Sequence, residues 1–380
     1  MKFFSSRKSE TIECVMAVSS ARAVAAVVKR YHGDESVDRP VVLFTERVDI
    51  ESRHAGDDAL LAEYAGAATR RALDACRAWL AAHHGGAFET ITCAIGEPWI
   101  ATIMRTVHIE KPKPISFTQK MIDEAVVRDR KVFEAEISDR ATAEVEIVQA
   151  VRMAYDINGY RVADPVGEQG STCDIHMAYA LASAAFLEEL TVVGIDVFHR
   201  DDMRCVAADI ARAQAVPETV ATLILDMGGS SASLAAIDRG VITQSIVIPM
   251  GMTMVIEHLT KLFDAAPASI GSVMVFATDE KLLEHERDEY YRRIELAYRP
   301  LGILIERTVD ELRRIGGEIP ETVVVTGIPA WGSVFYPMIA ASMKTKIVLP
   351  DFMNEKIVYA HGVSRDIQLS AVIDMTYSRV

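Results

Sequence analysis

The chain has 380 residues, half of them hydrophobic and a quarter charged, enough to fill two or three packed domains. A formal net charge of -14 argues against a broad basic face for nucleic acid and gives no overall attraction to anionic lipid. Cys14, Cys76, Cys93, Cys173 and Cys205 are scattered and form no CxxC pair, so they read as reduced thiols of a cytoplasmic protein rather than a disulfide framework or a zinc site.

The opening MKFFSSRKSETIE is basic but leads into no long apolar run. CVMAVSSARAVAAVVKR is broken by two serines and Arg22, which predicts strands over 11–18 and 23–30 around a Ser-Ser turn rather than a signal peptide. No stretch of about 18 uninterrupted apolar residues occurs, so a spanning helix is not expected. A third strand is expected over 40–48. A helix should run from Gly56 to about His83, with Gly85-Gly86 stopping it. FETITCAIGEPWIATIMRTVHIE predicts two strands around Gly96 and Pro98. The prolines of KPKP give an extended entry, and Ser116 or Thr118 can cap the helix that follows. VEIVQAVRMAYDI and YRVADPV read as strands joined at Asn158-Gly159, and STCDIHMAYALAS alternates like another. Residues 86–186 therefore form one compact unit of strands plus a helix.

Beyond it the pattern predicts a helix over 182–192, a short strand in VVGIDVFHR and a helix over 201–215. TLILDMGGSSASLAAIDRG, residues 222–240, reads as two strands around a glycine turn. GVITQSIVIPMG is a strand ending at Gly251, and MTMVIEHLTKLF a helix. Residues 281–314 are strongly helical and charged. ETVVVTGIPAWGSVFYPMIAASM is a strand, a glycine turn and a helix, and KIVLPDF a last strand. One coarse repeat stands out: a hairpin with a small-residue turn opens each half.

The turn at Asp226 carries the chemistry. Glycines let a backbone bend sharply and bring its N–H groups close to a phosphate. Ser230 and Ser231 add hydroxyls, and Asp226 at the strand tip could hold a hydrated Mg²⁺. The alternative is a hairpin whose Asp caps its own turn. Gly251 and Gly327, each at a strand end before a helix, are further places for close backbone approach.

This arrangement resembles the superfamily of actin, sugar kinases and DnaK-type chaperones, in which two related α/β domains clamp ATP between two phosphate loops and an adenosine loop. Within it, residues 86–186, with their Asp164-Pro165-Val166-Gly167 turn and alternating strand, look like the strand-helix-strand-strand (SHS2, or 1C) domain of the FtsA/PilM-like branch. The resemblance implies an α/β, actin-like ATPase fold of two ribonuclease H-like domains with an SHS2-type α+β insert. Domain 1A would be 1–85 plus 187–218, the insert 86–186, and the second domain 219–380, with its 2B part at about 262–318.

The cofactors implied are ATP and Mg²⁺. They would be held by Asp226, Gly228, Gly229, Ser230, Ser231, Gly251, Gly327, Ser19 and Ser20, with Asp226 at the metal. The first loop departs from the family: Ala17 stands at the acid position and Ser19 at the glycine. Pro329 removes a donor from the adenosine loop. At most weak ATPase activity is expected, and no catalytic residue is assigned.

The function implied is an FtsA-like cytoplasmic scaffold in cell division, peripheral at the inner membrane face through a partner. Its partners would be an FtsZ-like filament or the tail of a pilus membrane protein, with a homopolymer or dimer and no nucleic acid. The alternatives are a PilM-like pilus assembly protein and an active ATPase or small-molecule kinase. YAHGVSRDIQLSAV resembles the last core segment of the fold, with no amphipathic anchor after it, which favours the PilM-like role. The Pro-Gly turn of the insert favours the FtsA-like one.

Overall fold

The structure, a computed structural model, describes residues 9–32, 39–50, 58–141, 143–217, 219–278, 282–315, 319–329, 331–347, 357–360, 363 and 373. The N-terminal hairpin is β1 (Ser9–Val18) and β2 (Arg22–His32), with β3 (Val41–Asp49) antiparallel to β2. Helix α1 (Asp58–His83) buries Leu61, Ala65, Ala68, Ala72, Cys76 and Leu80, a three-and-four spacing that packs one stripe on this sheet. β4 (Ile91–Ile95) then runs parallel to β1. Cys14–Val18 and Ala23–Val28 are buried on both faces, which is why they read as continuous apolar runs.

The insert follows as β5 (Ile100–Ser116), α2 (Gln119–Arg140), β6 (Val145–Ile157), β7 (Tyr160–Val162) and β8 (Gln169–Ser183), in sheet order β5-β8-β6-β7. Thr118 caps α2, its hydroxyl accepting from the Met121 amide at 3.4 Å. Asn158 and Gly159 both take positive φ, 49° and 83°, which is the hairpin geometry Asn-Gly favours. Arg105 ties α2 to β5 through Asp129 (2.9 Å) and Glu136 (2.8 Å), and Arg152 ties it to β6 through Asp123 (2.5 Å).

Two segments depart from the expected elements. VVGIDVFHR is not a strand: its residues 192–198 form the last turns of α3 (Ala184–Phe198), with His199 as the left-handed C-cap. Its β-branched residues suggested a strand, but burial follows the helical period. Phe186, Leu190, Val193 and Val197 are buried, while Val192 and Ile195 are 43% and 46% exposed. Residues 201–215 are not one helix: β9 (Arg204–Ala207) pairs in parallel with β4 before α4 (Ala208–Ala215) begins. Four strand residues are too few to show a period against a helical neighbour.

The remaining elements are β10 (Ala221–Met227), β11 (Ala232–Asp238), β12 (Val241–Ile248), α5 (Met252–Phe263), α6 (Ile270–Ala277), α7 (Glu284–Ile315), β13 (Thr322–Thr326), α8 (Tyr336–Met343), β14 (Lys346–Ile347) and β15 (Val358–Tyr359). Their sheet order is β12-β11-β10-β13-β14, with β10–β12 antiparallel and β13 parallel to β10. In the first sheet, β15-β3-β2-β1-β4-β9, the five strands β3-β2-β1-β4-β9 repeat that plan and β15 is added at the edge. This is an actin-like α/β fold with an inserted α+β unit. Helix α6 was not expected, because its apolar SVMVFA run has no polar period.

The tail brings a further correction. β15 pairs in parallel with β3, and Ile357 and Ile373 lie in one core layer with Val15, Ala26 and Val42. These residues were placed in the second domain; their pairing returns them to the first sheet. The rest of KIVLPDF beyond Ile347, and most of YAHGVSRDIQLSAV, lie outside the described residues, as does Gly56. Among the described residues no single helix is long and apolar enough to cross a membrane.

Candidate functional site

The repeated plan brings three loops together: the β1–β2 turn, the β10–β11 turn and the loop after β13. Ser19 closes the first. Its amide donates to Arg22 O at 2.9 Å and its hydroxyl accepts from the Ala21 amide at 3.3 Å. Ser20 reaches across to the second, where its Oγ accepts from the amides of Gly229 and Ser230, both at 3.0 Å. Gly251 sits just before α5. The first amides of that helix, Met252 and Thr253, donate to Gly228 O and Gly229 O at 2.9 Å each. The residues expected to surround a phosphate are thus brought together and most of them bond one another, although the buried hydroxyls of Ser230 and Ser231 make no hydrogen bond within this set.

The glycines are explained by the same contacts. A Cβ on Gly229 would lie 2.6 Å from Ser20 O, and one on Gly251 2.4 Å from Gly229 O. Gly327, with φ of 79°, would place a Cβ 2.4 Å from Met227 O. Backbone approaches backbone at these positions, so the missing side chains are needed for loop packing.

Asp226 is 5% exposed, and both carboxylate oxygens are engaged. Oδ2 accepts from Arg212 Nη2 at 2.8 Å and Oδ1 from Thr326 Oγ1 at 2.7 Å. Arg212, on α4, is 3% exposed. Arg22 on β2 donates through Nη2 to Gly327 O. The guanidiniums therefore reach from β2 and α4 to the loop after β13 and to Asp226 at the end of β10.

Sequence reasoning missed Glu97 and Asp209, besides the two arginines. Glu97 follows β4, and its carbonyl accepts from the Ser20 amide at 3.2 Å. Burial, then the neighbouring Asp209 and Asp226 carboxylates, push its carboxyl up to about 8, against the pull of Arg212 and Ser231. Asp209, at the start of α4, accepts from Thr102 Oγ1 at 2.8 Å, and its carboxyl is raised by burial. An acid between Gly96 and Pro98 at a strand tip was the available signal for Glu97; α4 gave none for Arg212.

Mg²⁺ and phosphate can be tested against this donor set. Mg²⁺ needs open oxygen ligands, and here the acid is already paired to a guanidinium. Phosphate needs amides aimed at open space, and here they are capped by a serine. Among the described residues no three His, Cys, Asp or Glu side chains converge as a ligand set. As folded, these residues do not fit a phosphate-bound cation.

Compared by sequence, the chain matches no family model and no curated protein. Compared by structure, it is similar to a chain of a PilM–PilN type IV pilus biogenesis complex, at 15% identity and a TM-score of 0.56, covering 95% of this chain and 96% of that one. It is also similar to the ethanolamine utilization protein EutJ of Carboxydothermus hydrogenoformans, at 12% identity over 96% and 90% of the chains, TM-score 0.47. A third is an activator of 2-hydroxyisocaproyl-CoA dehydratase from Clostridium difficile with bound ADPNP, at 12% over 97% and 98%, TM-score 0.41. Similarity at this level is similarity of fold: an actin-like ATPase fold.

Proposed function

We propose that this chain is an actin-fold scaffold that holds the tail of a membrane partner, as a PilM-like protein would, rather than an FtsA-like cell-division scaffold. The observation that carries this reading is a groove on the insert. Two adjoining hollows of about 450 and 730 Å³ run between α2 and β6 and meet at Arg130. Val126, Val127, Ala150, Met177 and Tyr179 line one of them. Val127 is 54% exposed. β7 pairs only with Tyr155–Ile157 of β6, and among the described residues no strand pairs with the rest of that edge. Gln149 of β6 is buried against the Ala207 amide of β9, so an extended peptide would lie between α2 and β6 and place side chains in the hollows. Likeness over nearly the whole length to a protein solved from a PilM–PilN complex supports a membrane-protein tail as occupant. We propose in addition that 86–186 is an SHS2-type unit set into a divided first domain.

The test is affinity capture from the native cell, comparing the wild type with Ala150→Arg, which fills the groove floor. Recovery of one membrane protein of the pilus apparatus by the wild type alone supports the reading. Equal recovery by both proteins, or recovery of an FtsZ-like filament instead, overturns it.

A second reading, weak ATPase activity, is favoured by one observation: Glu97 is a carboxyl of shifted pKa beside the loops, where a general base would be sought. With its carboxyl near 8 it is mostly protonated at neutral pH, which opposes that role.

A further inference from the structure

We infer that the interloop cleft is a built-in clasp, in which this chain's own groups stand where a nucleotide and its cation would. The Ser20 hydroxyl takes the place of a phosphate oxygen, and the Arg212 guanidinium the place of the metal. This inference does not depend on which partner the insert binds.

Three joints make the clasp, from the β1–β2 turn, β2 and α4 to the β10–β11 turn, the loop after β13 and Asp226. Ser20 binds the amides of Gly229 and Ser230 at 3.0 Å. Arg22 binds the carbonyl of Gly327. Arg212 binds Asp226 at 2.8 Å, and Thr326 holds the other carboxylate oxygen at 2.7 Å. Ser20, Arg22, Arg212, Asp226 and Thr326 are all 5% exposed or less, so water competes for none of them.

The first loop explains why the substitution is internal. Ala17, buried beside Ala94 of β4 and Val24 of β2, brings no charge to the cleft. With an acid there, a fourth carboxyl would join Glu97, Asp209 and Asp226 beside the two guanidiniums of Arg22 and Arg212. Without it, Arg212 pairs with Asp226 and Arg22 holds the Gly327 carbonyl, while Glu97 keeps its proton. The glycine contacts close the remaining space. A triphosphate would have to displace Ser20 from two amides and part it from Gly229, where an added Cβ would already lie 2.6 Å from the Ser20 carbonyl. A cation would have to displace the Arg212 guanidinium from Asp226 and leave that buried positive charge without its carboxylate. The clasp therefore fixes the angle between the two sheets without a ligand, whereas a nucleotide-gated machine would change it on binding and release.

Hydrogen exchange on the full chain tests this, followed by mass spectrometry of the peptide spanning 227–232, with and without millimolar ATP and Mg²⁺. In the wild type, exchange at Gly229 and Ser230 is expected to be slow and unaltered by nucleotide, and titration calorimetry should give no saturable heat. Ser20→Ala deletes one oxygen from a buried site and should speed exchange at these two amides about tenfold while the rest of the map is kept. Thr326→Val, which keeps the side chain's shape, should loosen the same peptide without touching Ser20. Saturable ATP binding, or slower exchange with ATP in the wild type, overturns the clasp. Unchanged exchange in both variants overturns it as well. Protection by ATP that appears only in Ser20→Ala supports it directly, since the hydroxyl would then have been occupying an anion's position.

Discussion

Glu97→Gln isolates the electrostatics of the cleft. The folded carboxyl sits near 8 against an ordinary value of 4.5, chiefly because burial penalises its charge. Between those two values the folded chain holds a proton that the unfolded chain has released. The contribution to stability is therefore full below pH 4.5 and is lost as pH rises toward 8, by up to about 1.4 kcal/mol per pH unit. Partial contact of Glu97 with solvent reduces the total to about 2–3 kcal/mol. Glutamine keeps the shape of the neutral acid and cannot ionise. Urea titrations followed by tryptophan fluorescence provide the assay, with Trp99 reporting locally through its stack on Phe186 at 4.1 Å. Wild type and variant should agree near pH 5, and the variant should be the more stable by about 2–3 kcal/mol near pH 8.5. A difference that does not change across this range would refute the burial of an ionisable Glu97 beside Asp209 and Asp226.

Two further outcomes follow from pairings described above. Arg212→Ala removes the guanidinium paired to buried Asp226 and should cost about 3–5 kcal/mol in thermal or urea unfolding, whereas the double change Arg212→Met with Asp226→Leu should recover most of it. Asn158 holds φ of 49° while its Oδ1 accepts from the amides of Ser171 and Thr172 at 3.0 and 3.1 Å. Asn158→Ala should cost about 1–3 kcal/mol. Asn158→Asp, which keeps the acceptor and tolerates that backbone, should stay within about 0.5 kcal/mol in the same urea assay.

The sequence made the insert readable because its punctuation is local: Thr118 caps, Asn158-Gly159 turns, and the strands between them alternate. The doubled hairpin was readable too, since each turn is built of small residues. What escaped was set by distant partners. VVGIDVFHR is β-branched, and only packing under α1 makes it helical. RCVA is a strand because Cys205 finds Cys93 on β4. At the loops, Ser20, Gly228, Gly229 and Asp226 were singled out as residues for a ligand. Nothing in ADIARAQA marks Arg212 as the group that meets Asp226, because that helix reads as an ordinary amphipathic turn. A motif gives the donors and acceptors of a loop; it does not say whether they face a ligand or each other.

The pairing of β15 with β3 has a consequence for how the chain is made. β15 pairs with Val41 and Val42 at the start of β3's outer edge, so a ribosome must deliver everything between β3 and β15 before that pairing can form. Until then that edge presents unpaired backbone groups, the kind of surface onto which another nascent chain can add. The short lifetime of that edge depends on the second unit folding promptly and carrying the tail back. Slow translation between β3 and β15 should therefore reduce the yield of folded protein more than equally slow translation before β3.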